Sequence, residues 1–584
     1  MLSARYSGFA TEPPGDRALV SNLDRQSNLL CLEGETFDLL IIGGGITGAC
    51  LAYDAATRGI KTALIDKSDF GHATSAASSK LLHGGIRFLQ QLRFDKVRES
   101  AFERVYFQNL APHLCHYVPF IVPTFPGLKS GRAFLGAGAA LYTAVSLGQN
   151  REARFPQSKV PLPRMISRAD VIEQVPWLGA DWRGTGALVL PECHMKSSER
   201  MTLALIHAAA NAGAVVANYT SAEDIDVSKR HVGAVTVITE EGSKFEIRAK
   251  AVANCAGPWL GKVDAAAIGD GKSLISSFFR GAHLVLRNID LECALALPTP
   301  QKIQGITGRG GRHVFLIPWR DHVLLGTSYA PHGRDIDRVM PTETDIEQLL
   351  DAVNTGLGSR LLTHDHIAHA FAGIYPITAA EVKNEEYQGA SDYIVTDHGK
   401  ARGPRGYFSI FGAKFTTARR LAESACDAIA DHIGRPVGPC ITRNSTISAD
   451  DIPDPEAYKQ DIAARESEHL DSRIVGSLYD NFGQDLEKIL ETAAADPRLF
   501  KRIADGRDDI SAEAVYCARN EMLVHLEDFV FRRTGLGTIG NPGRAAVVHC
   551  AGLIGSELQW STERSNEEVE RTISQFPVFP GRCE

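Results

Sequence analysis

The sequence predicts an α/β protein: a discontinuous Rossmann-like domain, an antiparallel β-sheet domain inserted into it, and a C-terminal α-helical domain. Three observations predict it. Residues 37–42 (FDLLII) are a nearly continuous apolar run ending in glycines, the pattern of a strand buried on both faces. Residues 48–58 (GACLAYDAATR) are Ala-rich, lack proline and stop at Gly59 as a helix would, and residues 61–65 (KTALI) resume strand character before Asp66. Strand signals at 282–286, 314–317 and 323–326 then interrupt this pattern, and after residue 440 charged helical stretches such as 485–495 and 513–533 replace it.

In chain order, residues 1–36 mix Arg5, Asp16, Arg17, Asp24, Arg25 and Glu33 with Pro13-Pro14 and read as an N-terminal extension without the apolar run of a secretory signal. Segments 37–120, 190–270 and 365–440 are assigned to the nucleotide domain, 121–189 and 271–364 to the inserted substrate domain, and 441–584 to the helical domain. Residues 201–213 are patterned as a helix, 232–238 and 245–247 as a hairpin, and 249–254 as a short strand running into CAGPW at 255–259. The small and apolar stretch 133–148 is shorter than the roughly 20 residues that cross a bilayer; it reads as a buried helix, with a membrane-dipping segment as the alternative.

Bulk properties exclude several classes. With 44% hydrophobic and 23% charged residues, the 584-residue chain is an ordinary globular protein. A net charge of -8 offers no field to gather nucleic acid. The 11 cysteines are odd in number and form no CxxC pair or zinc-ligand spacing, so they read as reduced thiols in a cytoplasmic protein. His364, His366 and His369 lack a ligand-type continuation, and no metal site is expected. No GxSxG elbow supports a hydrolase triad.

Gly43-Gly44-Gly45-Ile46-Thr47-Gly48 is a GxGxxG motif set between strand and helix, the context it requires. Gly43 permits the tight turn, Gly45 lets backbone approach a pyrophosphate, and Gly48 lets the helix close on the sheet. The amino terminus of that helix, with Ile46 and Thr47, faces phosphate with partial positive charge. Asp66, followed by Lys67, ends the second strand where a carboxylate accepts hydrogen bonds from adenosine ribose hydroxyls. The alternative is a plain strand-to-helix turn with a solvated Asp.

Residues 74–87 (TSAASSKLLHGGIR) pack hydroxyls, one Lys, one His, a Gly pair and one Arg into a short stretch. Thr74, Ser75, Ser78, Ser79 and Lys80 are candidates for phosphate and flavin contacts, and Gly84-Gly85 would let backbone approach a flat ring. His83 is the candidate base, against the alternative of a satisfied core histidine. Gly412, Lys414, Phe415 and Thr416 repeat this chemistry far along the chain, where Lys414 could hold an anion or reduced flavin and the alternative is a surface turn.

These blocks, DLLIIGGGITGA at 38–49, ATSAASSKLLHGGIRFL at 73–89, NCAGPW at 254–259, FLIPW at 315–319 and FGAKFTTAR at 411–419, resemble in order the motifs of the FAD-dependent glycerol-3-phosphate dehydrogenases and oxidases. Residues 512–534 resemble that family's helical tail. The resemblance implies noncovalent FAD, contacted also by Ala256, Gly257 and Trp259, and oxidation of glycerol 3-phosphate to dihydroxyacetone phosphate with quinone or oxygen as electron acceptor. It assigns His83, Arg87, Arg312 and Lys414 to the substrate side. It leaves open a homodimer and peripheral contact with the inner face of the membrane.

The chain departs from the family pattern around the substrate. Tyr375 stands where a phosphate-binding arginine is usual, Ser391 where a second arginine is, Tyr329 ends a Gly-Thr-Thr-Asp-like block, and Phe88 replaces a tyrosine. Three functions therefore stay in view: glycerol-3-phosphate oxidation, the same flavin chemistry on another polyol, hydroxy acid or amine, and a flavin-binding protein without catalysis.

Overall fold

The computed structural model describes residues 24–127, 130–178, 182–269, 273–302, 311–378, 393–412, 414–447 and 452–577, with the side chains of 300–302, 311 and 312 excepted. Strand Thr36–Ile42 is buried from its second residue onward. Leu39 and Ile41 pack on the side of helices Ile46–Thr57, Ser198–Asn211 and Ala418–Ile433, while Leu40 and Ile42 join Leu32, Ile225 and Val235 on the other. A strand covered on both faces needs this unbroken apolar run.

Its neighbours are Lys244–Asn254 on one side and Thr62–Ile65 on the other, both parallel to it. Tyr407–Phe411 continues the parallel array beyond Lys244–Asn254, and Val215–Ala217 beyond Thr62–Ile65. Ile394–Asp397 closes one edge antiparallel, and the hairpin Thr220–Ser228 with His231–Thr239 attaches to Lys244–Asn254. Thr62–Ile65 and Val215–Ala217 thus extend the sheet on one side of Thr36–Ile42 and the later strands Lys244–Asn254 and Tyr407–Phe411 on the other, which makes that strand's carboxyl end the crevice where an α/β sheet binds ligands.

The second sheet has 10 strands and is antiparallel except where Ala294–Lys302 runs parallel to Cys115–Thr124. Ile367–Thr378, which the sequence reading places with the nucleotide domain from residue 365, pairs here along Ile275–Leu286. Cys115–Thr124 and Gly186–Met195 likewise pair here, so the expected boundaries at 120 and 190 fall inside strands. Alternating burial looks the same in either sheet, and only pairing partners far along the chain decide between them. Helix Glu343–Leu357, begun by a Thr342/Asp345 capping box, lays Ile346, Leu349, Leu350 and Val353 on this sheet.

Helix Arg132–Val145 corrects the expectation of a buried segment. Only Ala139 and Tyr142 are buried, and Phe134 and Leu141 are each 44% exposed. Its small residues raise hydropathy without demanding cover, so composition alone misjudged its burial. No helix among the described residues is long and apolar enough to cross a membrane. The C-terminal helices, from Pro455–Arg465 to Thr562–Ile573, enclose a core of their own around Leu478, Phe482, Tyr516 and Phe529.

Candidate active site

Four motif segments leave the carboxyl ends of adjacent parallel strands: Gly43–Gly48 after Thr36–Ile42, Asp66 after Thr62–Ile65, residues 255–259 after Lys244–Asn254, and residues 412–417 after Tyr407–Phe411. Parallel pairing gathers at one edge segments that are hundreds of residues apart in the chain.

The nucleotide half is shaped by close backbone approaches. Gly43 has φ +110°, and a methyl group there would lie 2.7 Å from the Cys255 carbonyl oxygen. A methyl group at Gly48 would overlap the Gly43 carbonyl oxygen, so helix Ile46–Thr57 could not close on the turn. Gly45 caps that helix without a side-chain bond. The Ile46 amide donates to Ser75 Oγ at 2.9 Å, and Thr47 follows it in the open first turn.

Asp66 Oδ2 accepts the Gly44 amide at 2.6 Å and Oδ1 the Ser68 amide at 2.8 Å. Burial pushes its carboxyl up to about 6 against the pull of these two amides. Lys67 reaches Asp337 at 2.7 Å and lies 3.9 Å from the Trp259 ring, whose Nε1 donates to the same Asp337 oxygen at 2.7 Å. Beside it, the Ala256 amide donates to Asn254 Oδ1 at 3.1 Å, and Gly257 takes a left-handed φ of +53°. These groups form a polar crevice with an open helix terminus, a carboxylate set for hydroxyls and glycines that keep it clear, which fits a dinucleotide.

The other half of the crevice is built from residues 74–85, 412 and 414–417. Thr74 Oγ1 donates to the Ile374 carbonyl at 2.9 Å, Ser78 Oγ accepts the Lys80 amide at 3.1 Å, and Ser79 Oγ lies 3.0 Å from His283 Nε2. Lys80 is fully buried and bonds Glu199 at 2.7 and 2.8 Å, so its charge is directed to the protein interior. The Thr416 hydroxyl accepts the His83 amide at 3.0 Å and ties the two segments together. The Gly84 amide donates to Glu192 at 2.7 Å, and a methyl group at Gly84 would come within 2.6 Å of the Arg104 guanidinium. Gly85 turns with φ +81°. Gly412 packs on Leu421, and Phe415 meets Phe107 with ring centres 5.9 Å apart.

His83, Arg87 and Lys414 converge here. The Lys414 ammonium lies 4.1 Å and the Arg87 guanidinium 5.2 Å from the centre of the same Phe88 ring. His83 is exposed at the surface, yet the protein packed around it, with the charges of Arg87, Arg104 and Lys414, lowers its pKa to about 3. Tyr375 pairs opposite Phe279, and its ring bars any side chain at Gly281, where a methyl group would lie 2.7 Å away. The Arg312 side chain and Ser391 lie outside the described residues.

The sequence reading missed the supports of this site: Glu192 and Arg104 under the HGG turn, Glu199 against Lys80, and Asp69 beyond Asp66. Only Lys80 carried a signal, since a lysine in a buried motif needs a carboxylate. Nothing local says which one.

Residues 38–423 match the FAD dependent oxidoreductase family, and residues 440–565 match the C-terminal domain of alpha-glycerophosphate oxidase. The chain belongs to the FAD-dependent oxidoreductases. It is 30% identical over 553 residues to glycerol-3-phosphate dehydrogenase 2 of Mycobacterium tuberculosis, covering 93% of this chain and 88% of the relative. It is 27% identical to a glycerol-3-phosphate dehydrogenase of Synechocystis, with 92% and 96% covered. The FAD complex of glycerol-3-phosphate dehydrogenase from Bacillus halodurans shares the fold, with a TM-score of 0.74 at 22% identity over 97% of this chain and all of that one.

This FAD-dependent oxidoreductase therefore pairs a flavin-binding domain with the helical domain of the glycerophosphate oxidases in one chain. The crevice described above is the part of the fold whose backbone and carboxylate suit the adenosine and pyrophosphate.

Proposed function

We propose that this oxidoreductase removes hydride from the secondary alcohol of glycerol 3-phosphate and releases dihydroxyacetone phosphate. The observation that carries this reading is the convergence of one neutral imidazole and two cations, His83 with Arg87 and Lys414, beside the flavin segments. Bound FAD supplies the two-electron acceptor. The chain's own groups do the rest: Arg87 and Lys414, with Arg312, orient an anion, and His83 takes the hydroxyl proton as the carbon–hydrogen bond breaks. Gly43, Gly45, Gly48 and Asp66 would hold the dinucleotide, and Thr74, Ser75, Ser78 and Thr416 would line the flavin side.

Electrostatics couple base to substrate. The cations that hold His83 neutral also oppose its taking a proton, and a bound phosphate offsets them. An anionic substrate therefore makes the imidazole a better base than a neutral polyol would. Steady-state turnover on glycerol 3-phosphate, glycerol, small hydroxy acids and amines tests this: the phosphate ester is expected to give the highest kcat/KM, and absence of turnover on it at millimolar concentration overturns the reading.

One observation favours a second reading, the same chemistry on a different substrate. Tyr375 fills the wall where the family resemblance would put an arginine, and a phosphate site loses a bidentate partner there. A hydroxy acid or amine outperforming glycerol 3-phosphate in the same panel would establish it.

For the acceptor, we infer a quinone reached at a membrane surface. Helix Arg132–Val145 exposes Ala133, Phe134, Ala137, Ala140 and Leu141 along one face, and Leu147 continues it. Such a stripe suits the acyl boundary of a bilayer. Phe134→Ser with Leu141→Ser is expected to reduce co-sedimentation with anionic vesicles and turnover with a membrane-dissolved quinone; equal binding and equal quinone turnover by both proteins would overturn this inference.

A further inference from the structure

The stretch that shapes the cofactor crevice is tied to the C-terminal helices directly at one end and through helix Ser198–Asn211 at the other. Asp69, just past Asp66 and fully buried, accepts Arg532 Nε at 2.5 Å, Arg533 Nη1 at 2.6 Å and Arg533 Nη2 at 2.9 Å. Arg532 also bonds Asp528, which accepts the Tyr219 hydroxyl at 2.6 Å. Two carboxylates thus face two guanidiniums in a site without water access, a forked arrangement that fixes geometry as well as charge.

At the far end, Lys80 is held by Glu199, and the adjoining Arg200 bonds both oxygens of buried Glu521 at 2.7 Å. Arg533 closes the circuit by donating to the Glu521 carbonyl at 2.9 Å. The stretch between Asp69 and Lys80 carries Ser75, which accepts the Ile46 amide at the mouth of the phosphate-facing helix.

We propose that the C-terminal domain is a positioning clamp for FAD, in which Arg532, Arg533 and Glu521 hold Asp69 and Arg200 so that the stretch from Asp66 to Gly85 keeps its cofactor-binding shape. None of these residues belongs to the crevice lining; they act through Asp66, Ser75 and the HGG turn. Because such coupling is reciprocal, FAD must also tighten the docking of the C-terminal domain.

Amide hydrogen exchange on the full-length apoprotein, with and without added FAD, reads this directly. FAD is expected to slow exchange in residues 521–537, and Asp69→Asn is expected to remove that effect and weaken FAD binding on the order of tenfold. At saturating FAD the variant should keep kcat within about twofold of the parent, since the clamp touches no reacting group. Unchanged exchange in residues 521–537 of the parent protein on adding FAD overturns the proposal, and so does parent-like FAD affinity in Asp69→Asn. Should that variant not fold, the exchange measurement on the parent protein decides alone.

Discussion

His83, the base proposed above, has an unusual setting: desolvation, with the charges of Arg87, Arg104 and Lys414, lowers its pKa to about 3. The imidazole is therefore already neutral throughout the working range, and no proton must leave it before catalysis. His83→Gln is expected to lower kcat by about 10²- to 10⁴-fold, the usual worth of a positioned base. The ratio of parent to variant kcat/KM should stay flat between about pH 6 and pH 9, because kcat/KM reports the free enzyme. A ratio that climbs with pH would mean the imidazole titrates there. At Tyr375, restoring a guanidinium with Tyr375→Arg is expected to lower KM for glycerol 3-phosphate by about tenfold, near the 1.5–3 kcal/mol of a charged hydrogen bond; initial-rate kinetics check it. His83 and Lys414 stand out as candidates because each lies in a dense motif whose chemistry is local. Glu192 and Asp69 were not, because a carboxylate far along the chain announces nothing until pairing brings it to its partner.

The HGG turn shows how an element is held by groups outside its motif. Glu192 sits in strand Gly186–Met195, accepts the Gly84 amide, and lies 3.6 Å from the buried Arg104 guanidinium. Glu192→Ala would take the acceptor from the Gly84 amide and the nearby carboxylate from Arg104, which keeps its bonds to Pro191, Tyr142 and Gln149, and it is expected to cost about 3 kcal/mol in urea unfolding. Breaking an exposed pair such as Arg498 with Asp496 should leave the unfolding midpoint close to the parent's, because solvent screens surface pairs. Strand Thr36–Ile42 and helix Ile46–Thr57 were readable because two buried faces and a glycine turn leave few alternatives. Strand Ile367–Thr378 was misplaced because its period of two fits either sheet. Helix Arg132–Val145 was misjudged because alanine tolerates both interior and surface.

Across the whole molecule, the nucleotide and C-terminal domains are joined by charge as well as by apolar packing. His525 bonds Glu568 through Nδ1 and Glu240 through Nε2, each at 2.7 Å, linking helix Thr562–Ile573 to the turn after His231–Thr239. Burial alone would lower its pKa, yet the bonds to Glu240 and Glu568 raise it from 6.5 to about 9. A folded-state pKa above the unfolded one means that this contribution is fully present below pH 6.5 and is lost as pH rises through about 9. The melting temperatures of the parent and His525→Gln proteins should therefore differ most near pH 6 and converge near about pH 10. A gap that widens with pH would contradict the assignment. That two sheets meet at one crevice, with the helical domain anchored behind it, was only partly foreseeable, since motif order gives the segments but not the long-range pairing that assembles them.

Productive binding of glycerol 3-phosphate beside FAD is the step on which the proposed function turns. Anaerobic mixing of the FAD-loaded protein with glycerol 3-phosphate, followed by visible absorbance, tests it without any assumption about the electron acceptor. Bleaching of the flavin band with one equivalent of dihydroxyacetone phosphate formed per flavin is expected; a band unchanged by saturating glycerol 3-phosphate, in protein that dithionite does bleach, would overturn the proposed function.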